Sequence, residues 1–181
     1  AEGAGFTDVV YVPLTASPIS IAVPGGATPA TYNATLYVRN TTTGCVSIGY
    51  SFTITVNPAT TITLGTSPTV CFGSTSASLP YTATSGSPNR YSIDYDAAAE
   101  AQGFSDVTNA VFPVSPVGLV VPGTAVANTY NANIIVTNNT TGCSSSSAAF
   151  TVTISPTPQI TLGANPAVCR GVTSASLAYS A

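Results

Sequence analysis

The sequence predicts an all-β fold, built as tandem β-sandwich domains with a 98-residue repeat and one short helix per repeat. Three observations lead there. The first is self-similarity: Thr42-Thr43-Gly44-Cys45 recurs as Thr140-Thr141-Gly142-Cys143, Ile62-Thr63-Leu64-Gly65 as Ile160-Thr161-Leu162-Gly163, and Thr75-Ser76-Ala77-Ser78-Leu79 as Thr173-Ser174-Ala175-Ser176-Leu177. Each pair stands 98 residues apart, and residues 1–83 align with 99–181 without a gap at about half identity. The second is period-two alternation of apolar and Thr/Ser residues, the pattern of a half-buried strand. The third is turn punctuation by Pro, Gly and Asn at the same phase of both copies.

A 98-residue period exceeds the roughly 20–45 residues of solenoid repeats and matches a small all-β domain of about 100 residues. Each repeat is therefore expected to fold as its own unit. Ala30 to Val38 and its copy Asn128 to Val136 are rich in β-branched and aromatic residues, as are Tyr50 to Val56 and Ala149 to Ile154. Pro24-Gly25 and Pro122-Gly123 mark turns. The loops Asn40 to Gly44 and Asn138 to Gly142 read as hairpin connections with glycine in the left-handed position. Asp96 to Gln102, with three consecutive alanines, favours helix and stops at Gly103.

Linkers set the frame. Val56-Asn57-Pro58-Ala59 and Ile154-Ser155-Pro156-Thr157-Pro158 each follow a β-rich run, and proline cannot continue a ladder. Residues 58–156 are thus expected to form one complete repeat. Residues 1–57 would be the latter part of a preceding repeat, and 157–181 the opening of a following one. The two end pieces nearly complement each other, lacking only a counterpart of Thr84–Ala98. Two expectations follow: a longer continuous array, or copies that complete one another by strand donation.

Composition removes several function classes. Only 5% of the 181 residues are charged, against about 25% in an average domain, and net charge is −3. Three cations cannot grip a nucleic-acid backbone. With no histidine there is no Ser-His or Cys-His relay and no imidazole ligand, so no enzyme is expected. The best candidate for a membrane span, Val111 to Val121, is broken by Pro113 and Pro116 and falls short of the about 20 residues a spanning helix needs.

Four cysteines, Cys45, Cys71, Cys143 and Cys169, fall two to a period. Within the complete repeat the available pair is Cys71 and Cys143. A bridge would close a loop of about 70 residues and contribute roughly 4 kcal/mol on the chain-entropy model. Buried thiols are the plainer alternative. A metal site is disfavoured without histidine or CxxC spacing. Cys45 and Cys169 would then find partners in adjacent repeat segments or chains.

Val70-Cys71-Phe72-Gly73, Ser76-Ala77-Ser78-Leu79-Pro80-Tyr81, Ser87 to Asp96 and Gly142-Cys143 resemble the PKD-like, immunoglobulin-like tandem repeats of giant type IX-secreted surface proteins of gliding bacteria. That resemblance implies immunoglobulin-like domains, an extracellular cell-surface location and an adhesin or filament role. It also implies a Cys71–Cys143 bridge, with no catalytic residues.

The one acidic cluster is Asp94, Asp96, Glu100 and Asp106, with Glu2 and Asp8 equivalent to the last two. Asp94 and Asp96 share a strand face, and with Glu100 they are candidate calcium ligands. The plainer reading makes them solvated or capping acids around the short helix. Paired carboxylates also raise glycoside hydrolysis, but the chain has no Trp to platform a sugar. Tyr11, Tyr32, Tyr37, Tyr50, Tyr91, Tyr95 and Tyr130 read as core and strand-edge residues. Asn33, Asn40, Asn138 and Asn139 each open an N-x-Ser/Thr triplet, and Arg39, Arg90 and Arg170 are isolated charges.

The function expected is structural: an extracellular repeat protein forming a rod or filament on the cell surface, for extension or adhesion. Its partner would be another copy or a continuing array, with surface polysaccharide as a further partner. The alternative is a carbohydrate- or calcium-binding module. No cofactor is expected other than calcium.

Overall fold

The computed structural model describes all 181 residues, and its regular structure is overwhelmingly strand. After a 3-10 turn at Glu2–Ala4, strands β1 (Ala30–Leu36) and β2 (Tyr50–Val56) form an antiparallel ribbon. Ala30 lies opposite Val56 and Leu36 opposite Tyr50.

The next hundred residues hold the bulk of the structure. They contain β3 (Thr61–Leu64), β4 (Thr69–Cys71), β5 (Ser76–Leu79), β6 (Tyr81–Ser85), β7 (Arg90–Tyr95), helix α1 (Ala97–Glu100), β8 (Val107–Val111), β9 (Val117–Val120), β10 (Asn128–Asn138), β11 (Cys143–Ser144) and β12 (Ala148–Ser155). One sheet runs β4-β12-β10-β7-β8, with β11 folded back on β10. Its ladders are antiparallel except β4 on β12, which is parallel. Two further ribbons, β3-β6 and β5-β9, are separate from it. Pro80, which has no N–H, separates β5 from β6.

Alternation decides which face is buried. Along β10, Tyr130, Ala132, Ile134 and Val136 are buried while Asn131 and Asn133 between them are exposed. Along β12, Phe150, Val152 and Ile154 are buried. They meet Ala77 and Leu79 of β5 and Val117 and Leu119 of β9 in a single apolar cluster, so the β5-β9 ribbon lies on one face of the large sheet. Every member of that cluster falls between Ala77 and Ile154.

The expected helix is a single turn. Asp96 caps it, its Oδ1 accepting from the Ala99 N–H at 2.8 Å; the helix ends at Glu100 with Ala101 as C-cap, and Gly103, at φ 95°, closes the turn beyond by donating to Glu100 O at 2.8 Å. The hairpin loops repeat one geometry in both copies. Asn138 Oδ1 accepts from the N–H groups of Thr140 and Thr141, Asn40 Oδ1 does the same for Thr42 and Thr43, and Gly142 and Gly44 both sit at φ 72°. The Pro-Gly turns also close alike, Ala125 N–H on Pro122 O and Ala27 N–H on Pro24 O, both at 3.0 Å.

The chain enters this body at one end and leaves at the other. Thr60 Oγ1 donates to Cys143 O, Ser85 Oγ to Ala59 O and Asn138 Nδ2 to Gly86 O, gathering residues 59–60, 85–86 and 138–143 at a head end. Ser155 pairs with Cys71, and its carbonyl accepts from Phe72 N–H, at the opposite tail end. Strand β10 runs from one end to the other. Its eleven residues span roughly 35 Å.

Outside the body the same residue types lie uncovered. Val117 is 0% exposed and Val121 2%, while their counterparts Ile19 and Val23 are 44% and 49% exposed. Leu79 is 0% exposed and its downstream counterpart Leu177 45%. Downstream, β13 (Thr161–Leu162) and β14 (Tyr179–Ser180) form a minimal antiparallel ribbon with Leu162 and Tyr179 in solvent.

Candidate functional site: the acidic turn and the cysteine ends

The acids are held by backbone and amide donors. Asp96 Oδ1 takes the Ala99 N–H, and its Oδ2 accepts from Asn131 Nδ2 at 2.8 Å. The Asn131 amide first, then the Ala99 N–H, hold its carboxyl below the usual aspartate range. Asp106 Oδ1 accepts from Tyr95 N–H at 2.9 Å. Asp94, opposite Asn133 in the β7-β10 ladder, and Glu100 are exposed. The four calcium candidates are not brought together: nowhere do three Asp, Glu or Cys side chains converge as a metal site. Glu2 and Asp8 are exposed. Asp94 and Asp106 share a shallow hollow of about 300 Å³ with Ser92, Thr108 and Asn133 on the sheet's outer face. No buried side-chain nitrogen or oxygen lacks a hydrogen-bond partner.

The cysteines correct the sequence reading. All four are unbridged, and the Cys71–Cys143 disulfide is not formed. Strand register gives the reason. Cys71 faces Ser155 at the tail end, whereas Cys143 faces Asn138 at the head end. The length of β10 lies between them, roughly 30 Å, where a disulfide needs Cα atoms within about 7 Å. Cys71 is exposed and Cys143 half-buried, with Thr60 on its carbonyl. Sequence spacing alone suggests a staple across the domain because it cannot tell which end of a strand a residue occupies.

The tyrosines divide as their strand positions dictate. Tyr130 and Tyr95 are buried with Phe104 and Phe150; ring centroids are 5.0 Å apart for both Tyr95–Phe104 and Phe104–Tyr130. Burial, then the neighbouring Tyr91 and Asp106, push the Tyr95 hydroxyl up to about 12. Tyr32 and Tyr91 are half-buried; Tyr11, Tyr37 and Tyr50 are exposed. Arg39 lies over the Tyr11 ring at 4.8 Å, a cation–π contact, and Arg90 and Arg170 remain single charges. Of the N-x-Ser/Thr asparagines, Asn138 has its Nδ2 committed to Gly86 O, while Asn33, Asn40 and Asn139 differ in having none of that contact.

No protein-family model matches the chain, and no curated protein does. Among solved structures it is similar to the adhesin domain of Epf from Streptococcus pyogenes. Identity is 14% and the TM-score 0.39, over 61% of this chain and 38% of that one. The chain thus spans well under half of the structure it matches. No helix is long and apolar enough to cross a membrane.

Two features of the site were missed in the sequence. One is the segregation of the two cysteine types to opposite ends. The other is the uncovered apolar face of the β1-β2 ribbon, where a hollow of about 420 Å³ is lined by Ala34 and Phe52 among others. Their counterparts Ala132 and Phe150 are core residues, so the repeat alignment carried this second signal.

Proposed function

We propose that the chain is a stretch of an array of immunoglobulin-like β-sandwich repeats, forming an extracellular rod at the cell surface for extension or adhesion. The domains are 1–57, the latter part of one repeat; 58–156, a complete repeat; and 157–181, the opening of the next. The observation that carries the reading is that residues 59–60 and Ser155 lie at opposite ends of one body, so that successive bodies follow head to tail. Short proline-containing linkers keep the joints stiff.

Two further details support the sandwich. Strand β4 runs parallel to β12 while β3 pairs antiparallel with β6, as a first strand does when it switches between two sheets. Tyr130 near the start of β10 donates its hydroxyl four residues back, the arrangement of a tyrosine corner. The half-covered face of β1-β2 and the exposed Ile160, Leu162, Val168, Leu177 and Tyr179 support the repeat reading, since the complete repeat covers the same positions more fully: it buries Phe150, Ile154 and Leu79 and half-buries Ile62, Leu64, Val70 and Tyr81. Low charge leaves little repulsion between neighbouring rods. No catalytic role, metal or cofactor belongs to this reading.

Negative-stain electron microscopy of the native array tests it. The expected result is rods advancing roughly 35–40 Å per repeat, set by strands of about 10–12 residues along the axis. Compact particles whose length does not grow with the number of repeats would overturn it.

A further inference from the structure

Cysteines at opposite ends of a body cannot staple it, but they are placed to join it to its neighbours. By the 98-residue alignment, Asn57 is the counterpart of Ser155, which faces Cys71 across a parallel ladder. A preceding repeat's cysteine of the Cys71 type would therefore lie beside Asn57. Thr60, three residues on, holds the Cys143 carbonyl at 2.9 Å. Three residues span at most about 10 Å, and a ladder partner adds about 5 Å on either side. The two thiols that flank one linker are thus closer than the two thiols of one repeat in any arrangement of the linker.

Each cysteine of this chain belongs to a different joint. Cys143 belongs to the head of the complete repeat, Cys71 to its tail, Cys45 to the head of the segment before and Cys169 to the tail of the segment after. No two of them flank the same linker, and all four are unbridged.

We propose that the cysteines cross-link consecutive repeats: Cys71 and Cys169, as tail thiols, each bond to the head thiol of the repeat that follows, and Cys143 and Cys45, as head thiols, each bond to the tail thiol of the repeat before. The inference rests on the array reading above. Chemically, one thiolate attacks the disulfide of a thiol–disulfide oxidoreductase, forming a mixed disulfide and releasing one of that donor's thiols. The second cysteine displaces the other. One protein S–S bond is formed, two protons leave the cysteine thiols, and the two electrons reduce the donor to its dithiol. The rod then carries a covalent bypass around each proline linker, and its individual bodies carry none.

The test is peptide mapping of unreduced native material, alkylated before digestion and kept acidic to prevent exchange. The four cysteine environments differ in sequence, so partners are read from mass. The expected result is a Cys71 peptide joined to a Thr-Thr-Gly-Cys peptide other than that of Cys143, and a Cys143 peptide joined to a Val-Cys peptide other than that of Cys71. A joined Cys71–Cys143 peptide, or alkylated thiols throughout, would overturn it. Electron microscopy of the same material separates the two readings. Rods with alkylated thiols sink the cross-link and leave the array standing, whereas compact particles with alkylated thiols sink both.

Discussion

The Tyr130 hydroxyl donates to the Val126 carbonyl at 2.8 Å, closing a four-residue corner at the start of β10 while the ring packs on Phe104. The preceding copy repeats the contact, Tyr32 donating to Thr28 O at 2.6 Å with its ring on Phe6. The two corners differ in cover: Tyr130 is 2% exposed, and Tyr32 lies in the uncovered ribbon. Tyr130→Phe is therefore expected to lower stability by about 1 kcal/mol, the net worth of a hydrogen bond donated by a hydroxyl on a buried ring. Tyr32→Phe should stay within about 0.5 kcal/mol, because solvent replaces the lost donor. Urea titration followed by far-UV circular dichroism measures both.

The repeat supplies a matched pair in the core as well. Leu79 is fully buried and Leu177, its counterpart, nearly half exposed. Leu79→Ala should cost about 2–5 kcal/mol through lost transfer energy and a cavity, and Leu177→Ala under about 1 kcal/mol. Equal effects in the same urea titration would mean that residues 157–181 are packed as tightly as the central body.

Alkali should unfold the body through Tyr95. Its hydroxyl titrates near 12 when folded, against about 10 for a free tyrosine, so the folded state holds this proton more tightly. The contribution is full below about pH 10 and is lost progressively as pH rises toward 12. Tyrosinate absorbance at 295 nm should contain a late-titrating component that Tyr95→Phe removes, together with its share of the stability loss.

At the acid end the relevant group is Asp96, whose carboxyl is held down by Asn131 and the Ala99 N–H. A depressed folded value means that its contribution is fully present above the ordinary carboxylate range and is lost as pH falls from there through the lower folded value. Asp96→Asn keeps a capping oxygen and removes the charge, so the acid limb of stability against pH should flatten. Calcium should leave the melting temperature unchanged, since Asp96 and Asp106 are already engaged by N–H donors. A calcium-dependent rise would restore the acidic cluster as a cation site.

Local chemistry was legible in the chain. Alternation placed β2 and β12, and β-branched and aromatic richness placed β1 and β10, because both signals belong to a single strand and need no partner. Asn40 and Asn138, with Gly44 and Gly142, announced their loops because an asparagine that bonds its own backbone and a glycine at positive φ act within five residues. Asp96 and Gly103 bracketed the helical turn for the same reason. The 98-residue repeat marked which residues play equivalent parts.

What the sequence by itself determined was the β-rich character, the repeat phase, the turns and the caps. The tertiary structure alone decided everything that depends on strand register across the sheet. It joined Thr60 to Cys143 across 83 residues, laid β4 parallel on β12, and sent Cys71 and Cys143 to opposite ends. Spacing along a chain fixes which face a side chain takes. Only the pairing of strands distant in sequence fixes which end of the sheet it reaches, and that pairing turned an expected internal staple into two unbridged thiols at opposite ends.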